Sequence, residues 1–312
     1  MNPADSETLD KGQCVTPPRH VILDTDIGSD VDDAMALAVI LGSPALTLDA
    51  VTTVYGDVLL RARLAQRYAG LAGTSLRAIP GLSETLSGAK VWWPGHEGSL
   101  HEGLAKETVD QGDVTDAIVE MVAEAATDVI AIGPLGNIAR ALRARPELAT
   151  EVHHLWVMGG DFGSDGTLEH NFRSDAVAAA EVFATDIPAT VFGLNVTEQL
   201  RITESAIAHL GETGPLGLAL LADIAQWRKM WDVEWNVPHD PLTVLAITDP
   251  QLFEFSGPGR ISIEEHGAHA GRSTFTPGEG SVRIATAMDV DAVAQTMMDR
   301  IERASRLAQG VR

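Results

Sequence analysis

Residues 24–34 read Asp24-Thr25-Asp26-Ile27-Gly28-Ser29-Asp30-Val31-Asp32-Asp33-Ala34, so that five aspartates fall within ten residues. An apolar run at 21–23 precedes this stretch and a helix-like run at 34–41 follows it, which predicts a strand, a tight acidic turn and a helix. Five carboxylates packed together repel one another unless a cation lies among them. Oxygen ligands of this kind suit a hard divalent cation, calcium or magnesium, better than zinc.

A solvated acidic turn is the alternative interpretation of this stretch. Asp30 or Asp32 would then cap the helix, and Asp33 would lie in its first turn, where the helix dipole favours negative charge. That interpretation leaves Asp24 and Asp26 unexplained, because both follow a strand of the buried type.

Strands and helices alternate along most of the chain. We predict strands at 21–23, 46–54, 76–80, 128–132, 152–158 and 189–194, separated by helices at 31–41, 58–71, 114–126, 138–145 and 175–184. This alternation indicates an α/β fold with a mainly parallel, Rossmann-like central sheet flanked by helices. A flexible leader is predicted at 1–19 and a single domain at 20–312.

The last third of the chain has a different pattern. Residues 202–231 are predicted to be helical with a break at Gly214-Pro215, and a short helix follows at 242–247. Short antiparallel strands are expected within 250–287, and an amphipathic helix at 289–307 closes the chain. Trp227, Trp231 and Trp235 would share one face if their helix persists, either as core packing or as the lining of an aromatic pocket.

Polar residues follow several of the predicted strands, and ligands of parallel sheets bind beyond the carboxyl ends of the strands. We therefore expect a site at that edge of the sheet. Residues 81–112 form a long glycine-rich stretch without periodicity that carries Trp92, Trp93, His96 and His101. Such a stretch is typical of a lid over a site, with a surface excursion as the alternative.

Composition excludes some classes of partner. The 312 residues carry a formal net charge of -22 without a basic cluster, which argues against nucleic acid and anionic membranes as partners. Cys14 is the one cysteine, so a disulfide within the chain is impossible. No secretory or membrane-spanning apolar run is present, and we expect a cytoplasmic protein.

Six segments together resemble the inosine-uridine-preferring nucleoside hydrolase family. They occur in the family's order and at similar spacing, over roughly residues 20–305, and are the segments at 22–34, 50–56, 133–137, 157–160, 169–171 and 237–241. The resemblance implies the nucleoside hydrolase fold, a small nucleoside substrate, a calcium ion, and a homodimer or homotetramer. The implied reaction is hydrolysis of the N-glycosidic bond to free base and ribose.

The resemblance also implies roles for individual residues. The calcium ligands would be Asp26, Asp33, Asp240 and the main-chain carbonyl of Ile132, and Asp26 would also be the general base. His239 is the position that assists the leaving base in some members. The substrate would contact Asp32, Glu169, Asn171, Asn195, Asp57 and, at the mouth of the pocket, Trp231 with Trp227 as a further candidate.

Two departures from the family pattern affect these assignments. Ser29-Asp30-Val31 stands where the family has one residue, so that Asp30 is an alternative ligand. Asp57 stands where asparagine is common, and we expect its added negative charge beside the ribose to alter substrate recognition or metal affinity.

Three other functions stay open at this point. The substrate is another ribosyl compound in the first, and the protein only binds calcium or a sugar in the second. The third is a magnesium-dependent aspartyl phosphohydrolase, suggested by two aspartates after a strand. That class needs a downstream lysine, and the chain offers only Lys11, Lys90, Lys106 and Lys229, none at a predicted strand end.

Overall fold

A ten-stranded sheet runs through the computed structural model, which describes residues 17–125, 127–163, 166–235, 237–308 and 310. Its strands are β1 (Arg19–Thr25), β2 (Leu46–Thr53), β3 (Ala78–Pro80), β4 (Asp128–Ala131), β5 (His154–Met158), β6 (Ala189–Phe192), β7 (Phe253–Phe255), β8 (Gly259–Ile263), β9 (Ser273–Pro277) and β10 (Val282–Met288). The order across the sheet is β3-β2-β1-β4-β5-β6-β10-β8-β9, and β7 pairs with β10. Strands β1 to β6 are all parallel, which confirms the predicted α/β architecture.

Twelve α-helices are present in the described residues. They are α1 (Asp32–Leu41), α2 (Val58–Leu71), α3 (Val114–Glu124), α4 (Gly136–Ala144), α5 (Leu148–Glu151), α6 (His170–Ser174), α7 (Ala176–Phe183), α8 (Leu194–Thr197), α9 (Glu204–Thr213), α10 (Pro215–Trp231), α11 (Pro241–Thr248) and α12 (Val290–Leu307). Short 3-10 turns lie at Leu104–Lys106, Pro250–Leu252 and Gly267–His269. None of the helices in the described ranges has the length and apolar character needed to cross a membrane.

The two faces of the sheet carry separate hydrophobic cores. Because successive side chains of a strand point to opposite faces, Val21 and Leu23 of β1 join one core and Ile22 joins the other. The first core receives α1, α11 and α12, and the second receives α3, α4 and α7. Helix α1 is buried along nearly its whole length, because it packs against both α11 and α12.

Strand β1 is longer than its apolar residues indicate. It begins at Arg19, within the predicted leader, and Arg19 Nη1 donates to Asp128 Oδ2 at 3.0 Å. Residue 19 therefore belongs to the sheet, and residues 1–16 of the predicted leader lie outside the described part of the chain. The three helices of four or five residues, α5, α6 and α8, were not predicted, since one helical turn is too short to produce a periodic pattern.

The predicted helix with a break at Gly214-Pro215 is confirmed as α9 and α10. Helix α10 ends at Trp231, because Asp232 adopts a left-handed conformation with φ of 51°. Trp235 therefore leaves the face that Trp227 and Trp231 share. The expected antiparallel strands at 250–287 are present, but β10 also pairs in parallel with β6 and so extends the main sheet.

Candidate functional site

A cavity of about 300 Å³ opens beyond the carboxyl ends of the parallel strands. The strand-end loops bring together residues that are distant in the sequence, as the doubly wound topology requires. Eight of the residues with a predicted site role line this cavity: Asp26, Asp32, Asp33, Ile132, Glu169, Asn171, His239 and Asp240. The alternative ligand Asp30 and the further candidate Trp227 line it as well.

Three carboxylates form an acidic cluster at the base of this cavity. Oxygens of Asp32, Asp33 and Asp240 lie within 4.8 Å of one another, and all three side chains are buried. Asp32 and Asp33 begin α1, and Asp240 directly precedes α11, so two helix N-termini point at the cluster. Burial raises the pKa of all three carboxyls well above its usual value, and the charges of neighbouring aspartates raise it further.

A divalent cation fits this cluster. It would offset the mutual repulsion of the three buried carboxylates and take the place of the water they lost on burial. The donors are all oxygens, which suits calcium or magnesium. The cluster contains Asp32, which the sequence assigned to the ribose. Asp26, which the sequence assigned to the metal, lies outside this group of three but lines the same cavity.

Arg61 is the buried cation closest to Asp26, and sequence analysis did not identify it. Its Nη2 lies 3.9 Å from Asp26 Oδ2, and its side chain is fully buried in α2. The guanidinium donates to the carbonyls of Tyr55 at 2.7 Å and Ile27 at 2.9 Å, and to Ser29 Oγ at 3.1 Å. Arg61 therefore fastens the acidic turn to α2 and supplies a positive charge behind it.

Asp24 has a structural position below the cavity rather than in it. Its Oδ1 accepts hydrogen bonds from Thr52 Oγ1 at 2.6 Å and Asn137 Nδ2 at 2.7 Å. Burial raises the pKa of this carboxyl to about 7. Asn137 also donates to the carbonyl of Thr53 and accepts from the amide of Leu82, so the pair joins the ends of β1 and β2 to α4 and to the start of the long loop.

Glu169 and Asn171 enter the cavity at the beginning of α6. The Glu169 carboxylate accepts from the backbone amides of Gly160 at 2.9 Å, Asn171 at 2.6 Å and Phe172 at 3.0 Å, which holds it in one orientation. Asn171 Nδ2 donates to the carbonyl of Ile132 at 2.9 Å. The carbonyl predicted as a metal ligand therefore accepts a hydrogen bond from a residue predicted to hold ribose, and both residues line the same cavity.

His239 lies between the acidic cluster and the mouth of the cavity. Its backbone amide donates to Asp32 Oδ2 at 3.2 Å, and its Nδ1 lies 2.7 Å from Thr197 Oγ1. Burial, with the nearby charge of Arg201, lowers the pKa of the imidazole to about 4. His239 is therefore neutral near pH 7.

Three of the predicted substrate residues do not line this cavity. Asp57 is exposed and caps α2, where its Oδ1 accepts from the Leu60 amide at 2.9 Å, so the expectation of an extra charge beside the ribose is not supported. Asn195 Oδ1 accepts from the Phe162 amide at 3.3 Å, and its neighbour Leu194 lines the cavity instead. Trp231 is 41 % exposed and lies at the mouth.

The long loop at 81–112 covers the site and is fastened to the body at several points. The amide of Trp92 donates to the Tyr55 hydroxyl at 2.7 Å, and His96 Nε2 lies 2.9 Å from the carbonyl of Ser29. Trp92 itself lines the cavity, as does Trp227 from α10. The loop therefore forms a wall of the site, and its action as a lid stays a prediction.

His170 also lines the cavity; it belongs to the segment 169–171 that carries part of the family resemblance, but no role was predicted for it. Its ring meets Tyr55 and Trp92 edge to face, at centroid distances of 6.1 Å and 5.5 Å. The signal available in the sequence was its position between Glu169 and Asn171, which were both predicted to bind substrate. A one-turn helix that begins at the cavity can place consecutive side chains around the ligand.

Comparison with known proteins agrees with this geometry. Residues 21–295 match the family model described as inosine-uridine preferring nucleoside hydrolase. The non-specific ribonucleoside hydrolase RihC of Salmonella schwarzengrund (strain CVM19633) is 31 % identical over 298 residues, which cover 88 % of this chain and 95 % of that protein. Uridine nucleosidase 1 of Arabidopsis thaliana is 27 % identical over 303 residues, covering 86 % and 85 % of the two chains.

A solved structure shows the same architecture. The plant nucleoside hydrolase PpNRh1 superposes with a TM-score of 0.82 at 27 % identity, covering 91 % of this chain and 99 % of that one. The chain has an acidic cavity at the strand ends of an α/β sheet, and the family model matches most of its length. Together these findings define the protein as an N-glycosyl hydrolase. The chain belongs to the inosine-uridine preferring nucleoside hydrolase family.

Proposed function

We propose that this protein hydrolyses the N-glycosidic bond of a nucleoside with the help of a bound calcium ion. The observation that carries the proposal is the group of buried carboxylates from Asp32, Asp33 and Asp240 in one cavity with Asp26. These side chains and the Ile132 carbonyl would hold the ion. When bound, calcium would polarise a water molecule and orient it toward the sugar.

Asp26 is proposed as the general base that takes the proton of the attacking water. Calcium lowers the pKa of water only modestly, so a nearby carboxylate is useful. Arg61 Nη2 lies 3.9 Å from Asp26 Oδ2 and places a buried positive charge beside this carboxylate. Cleavage passes through a cationic, oxocarbenium-like sugar, and the carboxylates of Asp32 and Glu169 would stabilise that charge.

Ribose would be held by Glu169 and Asn171, whose positions are fixed by backbone hydrogen bonds. The base would lie toward Trp92 and Trp227, at the outer end of the cavity. His239 faces the same region as a neutral imidazole. We propose that it hydrogen-bonds the departing base rather than protonating it as an imidazolium.

The experiment compares wild type with Asp26→Asn and Asp57→Asn in the presence of calcium. Bound metal is determined by elemental analysis, and free base and reducing sugar are assayed with uridine, cytidine, inosine and adenosine. We expect about one calcium ion per chain, and a loss of about 100-fold or more in kcat for Asp26→Asn. Asp57→Asn keeps a good helix cap outside the cavity and should behave as wild type.

Release of no base from any nucleoside by the calcium-loaded wild type would refute the proposal. If Asp57→Asn were as inactive as Asp26→Asn, the result would support the contact between Asp57 and substrate that the family resemblance implied. Hydrolysis of a different ribosyl compound is the alternative function, and the same assay with other ribosides tests it.

The phosphohydrolase alternative is disfavoured by the surroundings of Asp24, which lies next to the last residue of β1. Its carboxyl is buried and bonded to Thr52 and Asn137, and it does not line the cavity. None of the lysines in the described ranges lines the cavity either. The cytoplasmic location and the homodimer or homotetramer stay predictions of the sequence.

A further inference from the structure

Ser29 lies in the middle of the acidic turn, and its side chain is held from two directions. The residue stands three positions after Asp26 and three before Asp32, and it is buried. Its hydroxyl accepts a hydrogen bond from Arg61 Nη2 and donates one to Glu97 Oε1, each at 3.1 Å. One hydroxyl therefore joins the acidic turn both to α2 and to the loop at 81–112.

The backbone around Ser29 is held as well. His96 Nε2 of the loop lies 2.9 Å from the carbonyl of Ser29, and since a carbonyl only accepts hydrogen bonds, this ring nitrogen carries the proton. The preceding residue, Gly28, has φ of 113°, and a Cβ atom there would lie 2.6 Å from Leu64 Cδ1 of α2. The turn is therefore packed closely against α2 at the point where the loop binds it.

Glu97 is a buried carboxylate that the proposed reaction does not use. Its Oε1 accepts from Ser29, and its Oε2 accepts from the backbone amide of Gly95 at 2.8 Å. A buried carboxylate destabilises the fold unless hydrogen bonds satisfy it, so we expect both bonds to persist in the native state. Glu97 is thus fixed to its own loop through one oxygen and to the acidic turn through the other.

The length of the turn explains why it needs such restraint. Ser29-Asp30-Val31 stands where the family pattern has one residue, and each added residue loses conformational entropy when the turn is ordered. The hydrogen bonds at Ser29 offset that loss. They also fix the path of the backbone between Asp26 and Asp32, which both line the cavity.

We propose that Glu97 is a positioning residue that holds the acidic turn, through Ser29, in the geometry that binds the cation, and so couples the loop at 81–112 to the metal site. Glu97 does not line the cavity, so it acts through Ser29 rather than on substrate or metal. Because coupling between two sites is reciprocal, a cation that orders the turn also orders the loop around Glu97. The inference rests on the proposed function, since it assumes that calcium binds at the acidic cluster.

A double-mutant cycle tests whether Glu97 acts through Ser29. The dissociation constant for calcium is measured by titration calorimetry on wild type, Ser29→Ala, Glu97→Ala and the variant with both substitutions. We expect Kd to rise about tenfold in each single variant and by no more than about tenfold in the double variant, because either substitution already breaks the connection. Glu97→Gln keeps an acceptor for the Ser29 hydroxyl and should lose less affinity than Glu97→Ala.

Glu107→Ala is the matched control, because Glu107 also fastens the loop to α2. Its Oε1 accepts from Arg67 Nε at 2.7 Å, and neither residue lines the cavity. The Kd of this variant for calcium should equal that of wild type. If Glu97 served only the stability of the fold, Glu97→Ala would lower the free energy of unfolding and leave Kd unchanged, as in the control.

Hydrogen exchange gives a second measurement, on the unmodified protein. Amide exchange at 28–33, 95–98 and 105–108 is followed by mass spectrometry with calcium and with a chelator. We expect calcium to slow exchange several-fold in the first two segments and to leave the third, around Glu107, unchanged. This result decides the question even if Glu97→Ala does not fold.

Additive losses of calcium affinity in the cycle would overturn the inference, and so would protection of 28–33 by calcium without protection of 95–98. A Kd for Glu97→Ala equal to that of wild type would have the same meaning. If the losses are not additive but no nucleoside is cleaved, the coupling is confirmed while the proposed hydrolysis fails. Cleavage of a nucleoside together with additive losses would confirm the hydrolysis and refute the coupling.

Discussion

Arg61 lies on the buried face of α2, and its surroundings make substitution of this residue strongly destabilising. Its guanidinium satisfies two carbonyls and one hydroxyl and lies 3.9 Å from the buried carboxylate of Asp26. Removing it would leave these acceptors unpaired and the carboxylate without a nearby counter-charge. Each such loss destabilises the folded protein, because water does not reach these buried groups to replace the missing interactions.

We therefore predict that Arg61→Met lowers the free energy of unfolding by on the order of 3 kcal/mol, measured by urea denaturation. The stability of Arg61→Lys should lie between that of wild type and that of Arg61→Met, because lysine keeps the charge but lacks the planar guanidinium group. Arg143→Met is the matched control, since that arginine forms an exposed ion pair with Glu181. A cost for Arg61→Met no larger than for the control would show that the buried guanidinium contributes little.

His154 makes stability depend on pH, away from the cavity. Its Nε2 lies 2.8 Å from Thr190 Oγ1, its ring packs on Trp156, and burial lowers its pKa from 6.5 to about 4. The unfolded chain therefore binds a proton more readily than the folded one. Stability from the neutral imidazole is fully present above about pH 6.5 and is lost as pH falls toward 4.

We predict that His154→Gln reduces the stability lost between pH 7 and pH 4.5 by about 1–2 kcal/mol. Urea denaturation at the two pH values measures the loss. His266→Gln, at an exposed position, should show the same acid destabilisation as wild type. An undiminished loss in His154→Gln would mean that this imidazole titrates alike in the folded and unfolded states.

At the scale of elements, the loop at 81–112 and helix α10 form two walls of the site and are joined by Asp223. Its carboxylate accepts the Tyr68 hydroxyl of α2 and lies 3.2 Å from His101 Nε2 of the loop. Gln226 of α10 adds a bond of 2.8 Å to Ser99. The position of Trp227 relative to Trp92 therefore depends on a polar connection between loop and helix.

Asp223→Ala should loosen this connection without touching the acidic cluster. We expect KM to rise about tenfold with a smaller change in kcat, and amide hydrogen exchange to become faster within 81–112. Asp299→Ala on α12 removes an acid that is bonded to Gln295, and should leave both quantities unchanged. A fall in kcat at constant KM would indicate that Asp223 acts on the chemistry instead of the base subsite.

Elements were predicted better from the sequence than the site was. Apolar runs and helical periods are local, so the strands, most helices and the strand-end location of the site were recovered. Arg61 repeats with Leu64, Ala65 and Tyr68 along the buried face of α2, which was a readable signal. Asp57 could not be assigned, because a cap and a ligand residue at the start of a helix have the same sequence pattern.

The whole molecule carries a conflict between folding and function, since folding buries mutually repelling carboxylates. Without a cation their repulsion opposes folding, and a bound cation stabilises the native state by mass action. We predict that calcium at about 100 times its Kd raises the free energy of unfolding by about 2.7 kcal/mol relative to the calcium-free protein.

Asp240→Asn separates the two effects. Thermal unfolding of this variant should lose its dependence on calcium, while its calcium-free form should melt at a higher temperature than calcium-free wild type, because one repelling charge is gone. Both are measured by scanning calorimetry with and without chelator. A calcium-free variant less stable than calcium-free wild type would mean that Asp240 makes interactions in the apo state that outweigh the repulsion.

Helix α1 determines how the site fails. It begins with Asp32 and Asp33, is enclosed by the sheet, α11 and α12, and has no solvent-facing side along which it can fray independently. Its two carboxylates keep their positions for as long as the native state persists and lose them only when the entire body opens. We therefore expect thermal inactivation of this hydrolase and its global unfolding to share one midpoint.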